Sequence, residues 1–151
     1  INIGMLKDGR DDEVLAEINA IKKACAGHTL KVIIETCLLT EEEKIRMCDI
    51  VSKSDADFIK TSTGKAAVSA TPEAAVVMCM AIREFAERTG RRVGFKAAGG
   101  ISTPQDAVLY YTIVERILGP QWLTPALFRI GASSLAGNLL NAIVGREENY
   151  F

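Results

Sequence analysis

Short apolar runs rich in β-branched residues alternate along this chain with longer stretches whose apolar residues recur every three or four positions. That alternation constrains the fold more than any other feature. The apolar runs begin near residues 1, 30, 57, 92 and 127, so successive units span about 29, 27, 35 and 35 residues. A repeat of this size holds one strand, one helix and two turns. It is what parallel pairing needs, because the chain must cross back over the sheet before the next strand. Two architectures satisfy it: an open doubly wound sheet and a (β/α)8 barrel. An open nucleotide-binding sheet would carry a glycine-rich phosphate loop after its first strand, and neither G-x-G-x-x-G nor G-x-x-x-x-G-K-[ST] is present. Polar and glycine residues instead follow the third, fourth and fifth strands alike, which favours the barrel, whose βα loops gather on one face.

In chain order, Ile1–Ile3 reads as the end of a strand and 12–26 as an amphipathic helix. Leu30–Glu35 reads as a buried strand, and Thr40 with Glu43 as a capping box opening a helix to about Lys53. Asp57–Lys60 is a short strand. Thr71-Pro72-Glu73 opens a helix over 72–88, with the threonine as N-cap and the proline where its missing N–H does no harm. A strand ending on Lys96 follows, and Thr103-Pro104-Gln105-Asp106 repeats the same helix-start chemistry. That helix is expected to bury Ala107, Tyr111, Val114 and Ile117. Leu127–Gly131 is the last strand, and a short helix runs from Ser133 to about Ile143.

The chemistry points to two lysines. Asp57-Phe58-Ile59-Lys60-Thr61-Ser62-Thr63-Gly64 and Val93-Gly94-Phe95-Lys96-Ala97-Ala98-Gly99-Gly100 are each a short strand leading to a lysine, then to small and hydroxyl residues. Neighbouring strands lie ~4.8 Å apart, so the two lysines stand side by side. An ordinary lysine amine, pKa ~10.4, is neutral at pH 7 in about four molecules per ten thousand, and only the neutral amine attacks a carbonyl. Bringing such an amine to pKa ~7 takes about 4.6 kcal/mol. A second ammonium ~6 Å away supplies about 2.8 kcal/mol at an effective dielectric near 20, and partial burial can supply the rest. Paired lysines are therefore sufficient to build a Schiff-base nucleophile; the alternative is two structural lysines paired with Glu35 or another carboxylate. Gly64-Lys65, Gly99-Gly100 and Gly131-Ala132-Ser133-Ser134 are turns whose open N–H groups suit a phosphate.

Composition removes other classes. With 18 basic and 19 acidic residues the net charge is −1, which gives no electrostatic case for nucleic acid or an anionic membrane. No run approaches the ~20 apolar residues of a membrane helix. Cys25, Cys37, Cys48 and Cys79 form no C-x-x-C pair or zinc spacing and read as reduced thiols of a cytoplasmic protein. His28 is the single histidine, which disfavours a histidine triad or a histidine-rich metal site, so no metal or cofactor is expected.

Three stretches, Phe-Ile-Lys-Thr-Ser-Thr-Gly-Lys at 58–65, Val-Gly-Phe-Lys-Ala-Ala-Gly-Gly at 93–100 and Phe-Arg-Ile-Gly-Ala-Ser-Ser at 128–134, closely resemble the deoxyribose-phosphate aldolase family. Asn2-Ile3-Gly4 and Lys31-Val32-Ile33-Ile34-Glu35-Thr36 resemble it too. The resemblance implies a class I aldolase that cleaves 2-deoxyribose 5-phosphate to acetaldehyde and glyceraldehyde 3-phosphate, in deoxyribonucleoside catabolism. It implies Lys60 as the Schiff-base lysine and Lys96 as its tuning neighbour, with Thr63, Gly64, Lys65, Gly99, Gly100, Gly131, Ser133 and Ser134 around the substrate and its phosphate. Many family members have proline where Ala97 stands here. The family's catalytic aspartate falls a few residues before Asn-Ile-Gly, upstream of Ile1. Residues 1–144 are thus expected to be the last five βα units of a single (β/α)8 barrel, with an N-terminal half as missing partner, a homodimer as its assembly and 145–151 as a tail. Tyr150 resembles a tail tyrosine that assists proton transfer. Competing readings are another Schiff-base barrel aldolase or a non-catalytic phosphate-binding fragment.

Overall fold

The computed structural model describes residues 1–145. The helices start where side chains can satisfy their free N–H groups. Asn2 accepts from the Met5 amide at 3.1 Å and opens α1 (Ile3–Lys7). Three acids, Asp11, Asp12 and Glu13, lie in the first turn of α2 (Asp11–Ala24), at the positive end of its dipole. Thr40 accepts from the Glu43 amide at 3.2 Å while Glu43 accepts from the Thr40 amide at 2.8 Å, closing the capping box of α3 (Glu41–Lys53). Thr71 caps α4 (Pro72–Thr89) by accepting from the Ala74 amide, and Thr103 and Asp106 close a second capping box at α5 (Pro104–Leu118); proline follows each threonine. α6 (Leu135–Val144) has no side-chain cap.

Between the helices lie β1 (Lys31–Ile33), β2 (Phe58–Lys60), β3 (Gly94–Ala98) and β4 (Phe128–Gly131). They pair in parallel in the order β1-β2-β3-β4. A doubly wound sheet reverses direction at a switch point; this order has none. The helices follow the same succession, α2 against α3, α3 against α4, α4 against α5 and α5 against α6. Val32, Ile59, Phe95 and Ala97 join Ile18 of α2, Met47 and Val51 of α3, Met78 and Ile82 of α4 and Val114 of α5 in one buried core. Full burial of such side chains contributes about 1.5–3 kcal/mol each.

Several expectations are corrected. Ile1–Ile3 is not a strand: the Ile1 nitrogen donates to the Ile33 carbonyl at 3.2 Å, but the Asn2 cap turns the chain into α1 at once. The described residues therefore hold four strands, not five. β3 does not end on Lys96 but runs to Ala98, because Ala97 and Ala98 go on pairing with Ile130 and Gly131 of β4 after the β2–β3 ladder has ended at Lys60 and Lys96; on the other side the buried Thr61 hydroxyl bonds the amide and the carbonyl of Ala98. On α5 the buried tyrosine is Tyr110, with Ile113, Val114 and Leu118, and Tyr111 is exposed. α6 begins two residues later than expected, with Ser134 at its N-cap position. Tyr150 and the rest of the tail from 146 lie outside the described residues. Among the described residues no helix is long and apolar enough to cross a membrane.

Candidate active site

Strand pairing fixes the centre of the site. Lys60 is the register partner of Lys96, Lys96 that of Arg129, and Ile33 that of Lys60. Side chains of paired residues in parallel strands project to the same face, so three cations stand in one row on the face opposite the helices. Among the described residues neither lysine forms an ion pair, so no carboxylate of 1–145 holds either of them. Glu35 bonds Thr63 instead. Burial, then the charges of Lys60, Lys31 and Arg129, hold the Lys96 amine below its ordinary pKa.

Above this row the loops after β2, β3 and β4 enclose a cavity of about 510 Å³. Lys60, Thr63, Gly64, Lys65, Gly99, Gly100, Gly131, Ser133 and Ser134 all line it. Lys96 is not among them, though both lysines are partly exposed. The loop after β2 is tied across β3 by the Ala70 amide, which donates to the Ala98 carbonyl at 3.2 Å. Gly99, at φ +87°, permits that crossing: a Cβ there would stand 2.5 Å from the Ser69 side chain. Gly131 makes room for something else. A Cβ on it would meet Lys96 Cε at 2.8 Å and Ala98 Cβ at 2.9 Å, so its bare Cα lets Lys96 extend over β4. Beyond it, the first-turn N–H groups of α6 follow Ser133 and Ser134, which line the cavity.

Sequence reasoning missed Ala98, Ile101, Ser102 and Ala132 as lining residues. It also missed Asn138, whose amide nitrogen donates to the Ser102 carbonyl at 2.7 Å and binds α6 to the loop after β3. No local signal marks Asn138, because its partner lies on another βα unit.

Residues 1–116 match the family model described as DeoC/LacD family aldolase. The chain belongs to the DeoC/LacD aldolase family. Among curated members, the deoxyribose-phosphate aldolase of Agrobacterium fabrum is 48% identical over 140 residues, covering 91% of this chain and 52% of that protein. The Homo sapiens deoxyribose-phosphate aldolase is 42% identical over 142 residues, covering 92% of this chain and 44% of that protein. The chain thus spans about half the length of the curated relatives it matches. Among solved structures, a putative deoxyribose-phosphate aldolase from Coccidioides immitis superposes with TM-score 0.77 at 30% identity, over 95% of this chain and 50% of that one. The deoxyribose phosphate aldolase from Aeropyrum pernix, described as a tetramer, superposes with TM-score 0.65 at 27% identity, over 88% and 50%. The three stretches that carry the resemblance in the sequence are the ends of β2, β3 and β4 with their loops. In this DeoC/LacD chain they meet at one cavity.

Proposed function

We propose that the cavity is the active site of a 2-deoxyribose 5-phosphate aldolase working through a Lys60 Schiff base. The observation that carries this is the pair Lys60 and Lys96, in register on adjacent strands and unpaired with any described carboxylate, with Lys60 open to the cavity. The neutral Lys60 amine adds to the C1 aldehyde of the open-chain sugar, and loss of water leaves an iminium. Deprotonation of the C3 hydroxyl drives cleavage of the C2–C3 bond, whose electron pair moves onto the iminium to give an enamine. Glyceraldehyde 3-phosphate leaves; protonation of the enamine at C2 and hydrolysis release acetaldehyde and restore the amine.

Lys96 supplies positive charge beside the reacting nitrogen, because two ammonium groups at neighbouring strand positions repel and disfavour the doubly charged pair. The phosphate is read as sitting against Gly64-Lys65, the Gly99-Gly100 turn and the first turn of α6, where N–H groups and one lysine side chain oppose its charge. The four βα units are read as part of a (β/α)8 barrel. Their uninterrupted parallel order supports this, as do the gathering of their loops on one rim and the length of the relatives. Strands from the remainder of such a barrel would cover the free edges of β1 and β4. A homodimer and a cytoplasmic location belong to the same reading.

Borohydride reduction in the presence of acetaldehyde or 2-deoxyribose 5-phosphate, followed by peptide mapping, tests the proposal. The expected result is one reduced adduct on Lys60. An adduct on Lys96 would exchange the two roles, and none on either lysine would remove the Schiff-base reading and leave phosphate binding alone. A substrate panel separates this activity from that of other Schiff-base aldolases.

A further inference from the structure

Glu35 follows β1 and does not line the cavity, yet it adopts a left-handed backbone conformation, φ 54° and ψ 68°. Side chains other than glycine rarely occupy that region. Its neighbours are pinned: the Ile34 amide donates to the Lys60 carbonyl at 3.1 Å, and the Thr36 amide to the Thr61 carbonyl at 3.0 Å. Between these two anchors the backbone turns and delivers the carboxylate to the loop that follows Lys60. There it accepts from the Thr63 amide, at 3.2 Å and 3.3 Å to its two oxygens, and from the Thr63 hydroxyl. Thr63 Oγ1 accepts in turn from the Lys65 amide at 3.1 Å.

A hydroxyl has one proton and two lone pairs. At Thr63 the proton is given to Glu35 and one lone pair receives the Lys65 N–H. What remains is a single acceptor position on a residue that lines the cavity. We infer that Glu35 is a positioning residue for the Thr63–Lys65 turn, and that it fixes the Thr63 hydroxyl as an acceptor, so that the cavity selects a substrate presenting a hydroxyl donor there. The inference rests on the aldolase reading for its substrate and adds to it a source of selectivity for hydroxylated aldehydes.

The test compares the intact wild-type protein with Glu35→Ala, Glu35→Gln, Thr63→Val and the double variant Glu35→Ala/Thr63→Val. Three readouts are taken: hydrogen exchange at the Thr63 and Lys65 amides, borohydride trapping with acetaldehyde, and kcat/KM for addition of acetaldehyde to glyceraldehyde against propanal. In Glu35→Ala both amides should exchange faster, and the preference for glyceraldehyde over propanal should fall about tenfold, the worth of one hydrogen bond. Acetaldehyde trapping should stay at the wild-type level. Thr63→Val should lose the same preference and the double variant no more, while Glu35→Gln, which keeps one acceptor oxygen, should retain most of it. Unchanged exchange and preference in Glu35→Ala would overturn the inference, as would an equal loss on both acceptors. A wild-type protein that traps no imine would overturn the aldolase reading itself, and amide exchange would then judge the positioning role alone.

Discussion

Gly131→Ala separates what the sequence suggests for this glycine from what the packing requires of it. As part of a Gly-Ala-Ser-Ser turn it reads as a phosphate contact, in which case an added methyl should weaken substrate binding. In the structure that methyl would lie 2.8 Å from Lys96 Cε and 2.9 Å from Ala98 Cβ. Carbon atoms in ordinary contact are about 3.5–4.0 Å apart, so each pair is short by roughly 0.6 Å or more. Lys96 Cε is near the free end of a side chain and can swing away. Ala98 Cβ cannot, because Ala98 is the register partner of residue 131 within the β3–β4 ladder. The strain therefore falls on strand spacing and on the lysine. Overpacking of this kind costs about 1–3 kcal/mol of stability. Displacing a reacting group by about 1 Å costs on the order of 10²-fold in rate. On the proposed aldolase reading, Gly131→Ala should accordingly lower kcat for 2-deoxyribose 5-phosphate cleavage by about 10²-fold, leave KM little changed and reduce the unfolding temperature. The assay follows glyceraldehyde 3-phosphate release across substrate concentrations, beside a thermal melt. Gly100→Ala is the control: at φ +76° it meets no atom within 4 Å, so it strains the backbone without touching Lys96. A raised KM at unchanged kcat in Gly131→Ala would return the residue to the phosphate site and refute the clearance argument.

Two further expectations concern charge. Lys96 is depressed below its ordinary value of 10.5, first by burial and then by Lys60, Lys31 and Arg129. Between the lowered folded value and the ordinary one, the unfolded chain holds a proton that the folded chain lacks, so this residue makes stability rise with pH across that window. Lys96→Met should therefore be more stable than wild type at neutral pH, with an advantage that shrinks toward pH about 10; denaturant midpoints of both proteins check it, and a gap independent of pH would contradict it. Arg91 donates to the carbonyls of Ser52, Ser54 and Ala56, joining the end of α3 to the approach of β2. Arg91→Ala should cost about 2–4 kcal/mol in urea unfolding through those part-buried charged hydrogen bonds, and a loss below about 0.5 kcal/mol would mean that water replaces the guanidinium.

Where the sequence determined an outcome by itself, the deciding interaction spans only a few residues. Thr40 with Glu43 and Thr103 with Asp106 close capping boxes, and Thr71 caps α4, because each needs only the three residues that follow it. The alternating β and α units and the lysines near strand ends are legible for the same reason. Tertiary structure decided what depends on distant backbone. Choosing Tyr110 over Tyr111 depends on which side of α5 meets α4, and adjacent helical residues differ by only 100° in direction. Asn2 could not be told from a strand residue until the chain turned at it. The extension of β3 past Lys96 hangs on β4, whose Ile130 and Gly131 pair with Ala97 and Ala98 from a later βα unit. Glu35 and Thr63 lie 28 positions apart and meet because β1 and β2 pair in register. Gly131 has an ordinary backbone conformation, and its need for a missing side chain arises from Lys96 on the neighbouring strand. Local chemistry and the family resemblance together therefore named nine of the thirteen lining residues of the cavity. Which of them make room for a neighbour was set by strand register, which a single strand's sequence does not contain.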